Sequence, residues 1–242
     1  MDLGRILEEM TFISWAVVGV LIIMSVATVA ITVERTMAYR KAKLQSLDFA
    51  RFSGPLLKDR HLGKIIAAKD EPLYKYSYVA RLVTAGLEEA DDLVGLNGNL
   101  DNLETVSAAC RRAAETEILF LRRGTSVVAT VGASAPFVGL LGTVIGIIGT
   151  FQDMESAGSG GFETVVGSLG EALIVTALGL VVAIPATWVY NYFNSRMEGF
   201  QVLIDNTISE FIDYLRKHGD KLNADSFTRP KTPTPTDTVR EG

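Results

Sequence analysis

The chain has 242 residues, 48% of them hydrophobic and 21% charged, with a formal net charge of -5. Its apolar excess falls in three long blocks, which argues for a polytopic membrane protein rather than one soluble core. No basic patch with interleaved aromatics points to nucleic acid. The single cysteine, Cys110, excludes an internal disulfide framework, and His61 and His218 stand apart without metal-ligand spacing.

Residues 1–10 are a short polar lead. An uncharged run from Met10 to Val33 follows, too long for the apolar part of a signal peptide and with no basic segment before it. It reads as a retained first span over residues 11–34. Arg35, Arg40, Lys41 and Lys43 come next and mark that end as cytoplasmic by the positive-inside rule. Residues 35–123 then form a polar region read as helical: Phe49 to Ala68, Tyr74 to Glu89, and a long helix from about Leu100, with Asn99 as its cap. In that helix Leu100, Leu103, Val106, Cys110, Ala114, Ile118 and Leu121 follow three- and four-residue steps. With no glycine or proline before Gly124, the helix is expected to run directly into the second span.

Residues 124–151 form that span, uncharged from Gly124 to Gln152 and longer than the roughly 20 residues a bilayer needs. Gly139, Gly142, Gly146 and Gly149 recur along one face, which suits close helix packing or the lining of a path. Residues 152–163 carry Asp153, Glu155 and Glu163, no Lys or Arg, and a turn at Gly158–Gly161, and so read as extracytoplasmic. The third span covers residues 164–195. Phe193, Met197, Phe200, Ile204, Phe211 and Leu215 extend its helix over residues 196–219, beyond the membrane. Residues 220–242 end in a Thr/Pro-rich tail expected to be disordered. The fold class is therefore an all-α membrane protein, with second and third spans extended into a helical cytoplasmic domain.

Glu171 is an acid within an apolar span. An ionised group at bilayer depth costs about 2.5–3.5 kcal/mol on insertion scales, so it either faces a partner or a wet cavity, or sits at the outer headgroup level. Thr176 lies five residues on, and Glu171, Ala172, Val175 and Thr176 can share a broad face. Membrane threonines commonly bond their own helix, here Thr176 to the Ala172 carbonyl and Thr143 to that of Gly139. A threonine cannot titrate, but it can order water or bond a carboxylate that does. Pro136 and Pro185 each remove a backbone donor, freeing the carbonyls of Gly132 and Val181. There is no nucleotide loop, nucleophilic triad or metal cluster, so no enzyme is read here.

The run from Ala135 to Ile148, APFVGLLGTVIGII, resembles the second-span signature of the ExbB/TolQ family, distantly related to MotA. The run from Gly170 to Ala186, GEALIVTALGLVVAIPA, resembles its third-span signature. One departure is Gly167-Ser168-Leu169, in place of an Ala-Pro-Gly-Ile-like lead into the glutamate. The resemblance covers about residues 10 to 218, most weakly in the middle of the polar region. It implies a proton-driven motor of the bacterial inner membrane, with the N-terminus periplasmic and the C-terminus cytoplasmic. Five such subunits would ring two ExbD/TolR-like single-span partners, each bringing a membrane aspartate. Thr143 and Thr176 would face that aspartate, Glu171 would lie near the pore, and the proton, with no bound cofactor, would be the coupling ion. Lipid would surround the ring. A non-conducting scaffold of an envelope complex is the alternative, and a substrate transporter finds no internal repeat to support it.

Overall fold

The computed structural model describes residues 12–97, 100, 102–157, 162–219, 222 and 224–228, and its described regular structure is helical throughout. The N-terminal lead, the Asn99 cap, the Gly158–Gly161 turn and the Thr/Pro run from 229 onward lie outside the described residues. Helix α1 runs Phe12–Lys58, α2 Leu62–Ala67, α3 Tyr78–Asn97, α4 Leu103–Arg122, α5 Thr125–Ala157 and α6 Phe162–His218. Short 3-10 turns occupy Ala68–Asp70, Pro72–Tyr74 and Ala224–Phe227. Among the described residues, three helices are long and apolar enough to cross a membrane, in stretches within Ser14–Lys58, Thr125–Gln152 and Leu169–His218.

Two expectations about helix ends change. Helix α1 does not stop after the first span but continues to Lys58. Its buried positions explain the length: Ser14, Val17, Leu21, Thr28, Arg35, Tyr39, Ala42, Ser46, Phe49 and Ser53 keep steps of three and four, or whole heptads, along 47 residues. Conversely, α4 does not run into α5. Gly124 adopts φ +81°, a left-handed conformation that ends a helix cheaply only at glycine. The Thr125 hydroxyl donates to the Arg122 carbonyl at 2.7 Å across the break, and the Val127 N–H donates to the Gly124 carbonyl at 3.1 Å.

Two compact units share these helices. One draws on Thr36–Leu121 and the chain from Met197 on. Phe49, Leu62, Ile65, Leu82, Leu87, Val106, Ile204 and Leu215 are fully or almost fully buried in it. Aromatic edges lock it further, with Phe49 against Tyr74 at 5.1 Å and Tyr78 against Phe200 at 5.9 Å between centroids. The α4 stripe buries Val106, Cys110, Ala114 and Leu121, and the α6 extension buries Met197, Phe200, Ile204, Phe211 and Leu215 at the expected spacing. Glu117 is buried and paired with Arg81. Burial pushes its carboxyl above the ordinary range, and the Arg81 guanidinium opposes that rise. The tail begins later than residue 220: Leu222 and Phe227 are buried, and a side chain at Gly63 would collide with the Thr228 carbonyl.

The other unit draws on the chain up to Arg35 and on Arg122–Arg196. Its core joins Val17 and Leu21 of α1, Val128, Val131 and Ala135 of α5, and Val175, Ala183 and Ala186 of α6. Glycines bring α5 and α6 into backbone contact. A methyl group on Gly179 would sit 2.7 Å from the Ala135 carbonyl oxygen, and one on Gly139 would lie 3.1 Å from Thr176 Cα and from the Val175 carbonyl oxygen. Gly142 and Gly146 face Val175 and Ala172, whereas among the described residues nothing lies within 4 Å of a methyl group placed on Gly149. Residue numbers rise on α5 as they fall on α6, so the two helices run antiparallel.

Gly179→Ala should therefore lower the stability of the detergent-purified protein by about 1–3 kcal/mol, the ordinary cost of overpacking. Gly149→Ala should match or exceed the parent, since alanine favours a helix interior. Thermal unfolding followed by circular dichroism checks both.

Candidate ion-path site

The contact between α5 and α6 sets the depth of every polar group the sequence singles out. Gly142 meets Val175, and Gly139 meets Thr176, so Thr143 and Thr176 stand at one level on facing helices. Thr143 is 7% exposed, and its hydroxyl donates to the Leu140 carbonyl at 2.7 Å, one residue later than the expected Gly139. Thr176 departs further from expectation. It does not bond the Ala172 carbonyl of its own helix, but donates across the interface to the Gly139 carbonyl at 3.2 Å. That bond exists because neither Gly139 nor Gly179 carries a side chain to hold the helices apart.

Glu171 is 8% exposed, on a helix that already begins at Phe162. It lies two residues inside the apolar stretch that begins at Leu169. Glu171 and Thr176 do not, however, share a face: five helical residues place them about 140° apart. Thr176 follows Ala172 by one turn on the side that meets α5. Glu171 precedes Val175 by one turn, and Val175 meets Val17 of α1 beside Gly142. Thr143 and Thr176 thus stand at about one level along the α5–α6 contact, and Glu171 lies on another side of α6, about one turn along.

Pro136 and Pro185 are accommodated inside α5 and α6 without ending either helix. Pro136 is half-buried and Pro185 is exposed. Of the packing residues expected, Gly139, Gly142 and Gly146 lie in the α5–α6 contact. Sequence reasoning did not identify Gly179, the partner of Gly139. The available signal was its four-residue spacing from both Val175 and Ala183.

Chemically, among the described residues the Thr143–Thr176 level offers two hydroxyls and no group that changes charge. It can order water or bond a carboxyl brought to it, but it cannot carry a proton alone. The class these features define is a polytopic helical membrane protein whose spans hold a hydroxyl pair at a glycine-made contact.

Comparison with known proteins narrows that class. Residues 75–206 match the MotA/TolQ/ExbB proton channel family. The biopolymer transport protein ExbB of Xanthomonas campestris pv. campestris is 37% identical over 205 residues, covering 80% of each chain. ExbB of Salmonella typhimurium is 30% identical over 154 residues, 64% of this chain and 63% of that one. TolQ of the Tol-Pal system of Pseudomonas aeruginosa is 42% identical over 96 residues, 40% of this chain and 42% of its own. The chain belongs to the MotA/TolQ/ExbB proton channel family, a family of transport and energy-transduction proteins of bacterial membranes.

The bond from Thr176 to Gly139 is testable on its own. Thr176→Val should cost about 0.6–1.7 kcal/mol, the measured worth of such bonds in membrane proteins, while Thr176→Ser keeps most of it. Unfolding in mixed micelles of increasing denaturing-detergent fraction measures the difference.

Proposed function

We propose that this chain is the channel-forming subunit of a motor driven by the proton-motive force across the bacterial inner membrane. Five copies surround two ExbD/TolR-like single-span partners, whose membrane aspartates meet Thr143 and Thr176. The observation that carries this reading is the pair of hydroxyls at one level, held by glycine contacts, with no titrating group beside them among the described residues. The missing group is supplied by another chain. Membership of a proton channel family supports the same conclusion.

Charge supports the orientation. Arg35, Arg122, Arg123 and Arg196 flank the ends of the three spans that face the cytoplasm, which leaves the N-terminus periplasmic and the C-terminus cytoplasmic. One proton falling through about 150 mV releases about 3.5 kcal/mol, scaled from 2.3 per 100 mV. That exceeds a single interhelical hydrogen bond several-fold, so alternate protonation of two aspartates can drive a repacking step and turn the inner pair. The work done is mechanical and directed at the envelope: uptake, envelope integrity or surface gliding.

In proteoliposomes holding the chain with its co-purified partner, Thr143→Val and Thr176→Val should each reduce proton flux at least tenfold while the complex elutes unchanged. A fluorescent pH reporter inside the vesicles reads the flux. Undiminished flux, or a parent complex that conducts nothing under a membrane potential, would instead favour a non-conducting scaffold.

A further inference from the structure

Two helices of the unit drawn from Thr36–Leu121 and from Met197 on keep large apolar side chains in the open. Met37, Leu44 and Leu47 of α1 and Val202 and Leu203 of α6 are each 46–62% exposed, although aromatic contacts and apolar stripes close the rest of that unit. The charges around them are sorted by sign. From Thr36 to Lys58, α1 carries Arg40, Lys41, Lys43, Arg51 and Lys58 against Asp48 alone. From Met197 to Leu215, α6 carries Glu198, Asp205, Glu210 and Asp213 and no Lys or Arg. All of these are exposed. Arg51 approaches Asp48 of its own helix only to 4.0 Å, an exposed pair worth little.

Spacing gathers each set on one face. Met37, Arg40, Leu44, Leu47 and Arg51 follow steps of three and four, opposite the buried Tyr39, Ala42, Ser46, Phe49 and Ser53. Glu198, Val202 and Asp205 do the same on α6, with Leu203 and Glu210 beside them. Two contacts match the helices in height. The Tyr39 ring meets Phe200 at 5.6 Å between centroids, and the Tyr214 hydroxyl donates to the Leu57 carbonyl. The helices therefore run in the same direction here, with Arg40 and Leu44 at the level of Val202 and Asp205, and Arg51 at that of Glu210.

We propose that these faces are one docking surface for a second copy of the chain, the basic α1 face of one copy lying along the acidic α6 face of the next. Rotation about an axis along the helices keeps every residue at its own height, so a closed ring needs unlike faces that match level by level. These faces match in apolar content, in charge and in height. The proposal deepens the ring proposed above and rests on that reading.

The test uses the full chain in its native membranes. A copy with Leu44→Cys and a differently tagged copy with Leu203→Cys, both with Cys110→Ala, are co-expressed and treated with copper phenanthroline. A bridge between the two tags is expected, and neither variant expressed alone should dimerise. Arg51→Glu on the first copy should lower the bridged yield about fivefold, and Glu210→Arg on the second should restore it. That rescue separates a broken contact from a misfolded chain. No bridge between the tags, a bridge in Leu44→Cys alone, or a yield indifferent to Arg51→Glu would overturn the proposal. An intact ring by mass without the bridge sinks this surface and leaves the motor standing. A bridged ring that passes no protons in vesicles confirms the surface and sinks the motor.

Discussion

The contact of Gly139 with Gly179 and Thr176 is the constraint on which the membrane-spanning unit depends. Lipid tails are as apolar as leucine, so helices in a bilayer gain little from burying apolar surface against each other. What remains is close packing and the hydrogen bonds that it permits. Here the approach is close enough for the Thr176 hydroxyl to reach a backbone carbonyl on the opposite helix. The same closeness fixes the depth of Thr143 and, one turn along, of Glu171. A side chain at either glycine would separate the helices and break both relations at once.

That contact also sorts the polar groups by side. Thr143 and Thr176 lie along the α5–α6 contact, and Glu171 is turned to another side of α6. The two polar features of the third span are thus built for different neighbours. Outside the contact the unit presents large apolar residues such as Phe137, Leu173, Val181 and Trp188, each about two-thirds exposed in the single chain. Lipid or further subunits suit such a surface, and water does not. The remaining unit is built by ordinary soluble-protein means, with aromatic edges, a buried Glu117 paired with the partly exposed Arg81, and apolar stripes.

Much of this was legible in the sequence. Long uncharged runs gave the spans, and the three- and four-residue steps of α4 and of the α6 extension match the residues that are buried. Gly139, Gly142 and Gly146 were readable as a packing face because each lacks a side chain where a helix approaches. The break at Gly124 was not legible, since one glycine in an otherwise helical run ends a helix only if its φ turns positive, which the sequence does not state. The length of α1 was missed for a different reason. Its seam passes through Ser46 and Ser53, polar residues that a search for apolar periodicity discounts. The side on which Glu171 lies depends on the register of three helices, and no single-helix pattern contains that information.

The central claim is that the titrating group at the Thr143–Thr176 level comes from another chain. Gentle extraction from native membranes, followed by mass determination of the intact complex, tests it most directly. The account predicts five copies of this chain enclosing a smaller single-span protein with an aspartate in its span. A ring without a second protein, or a lone chain, would contradict it.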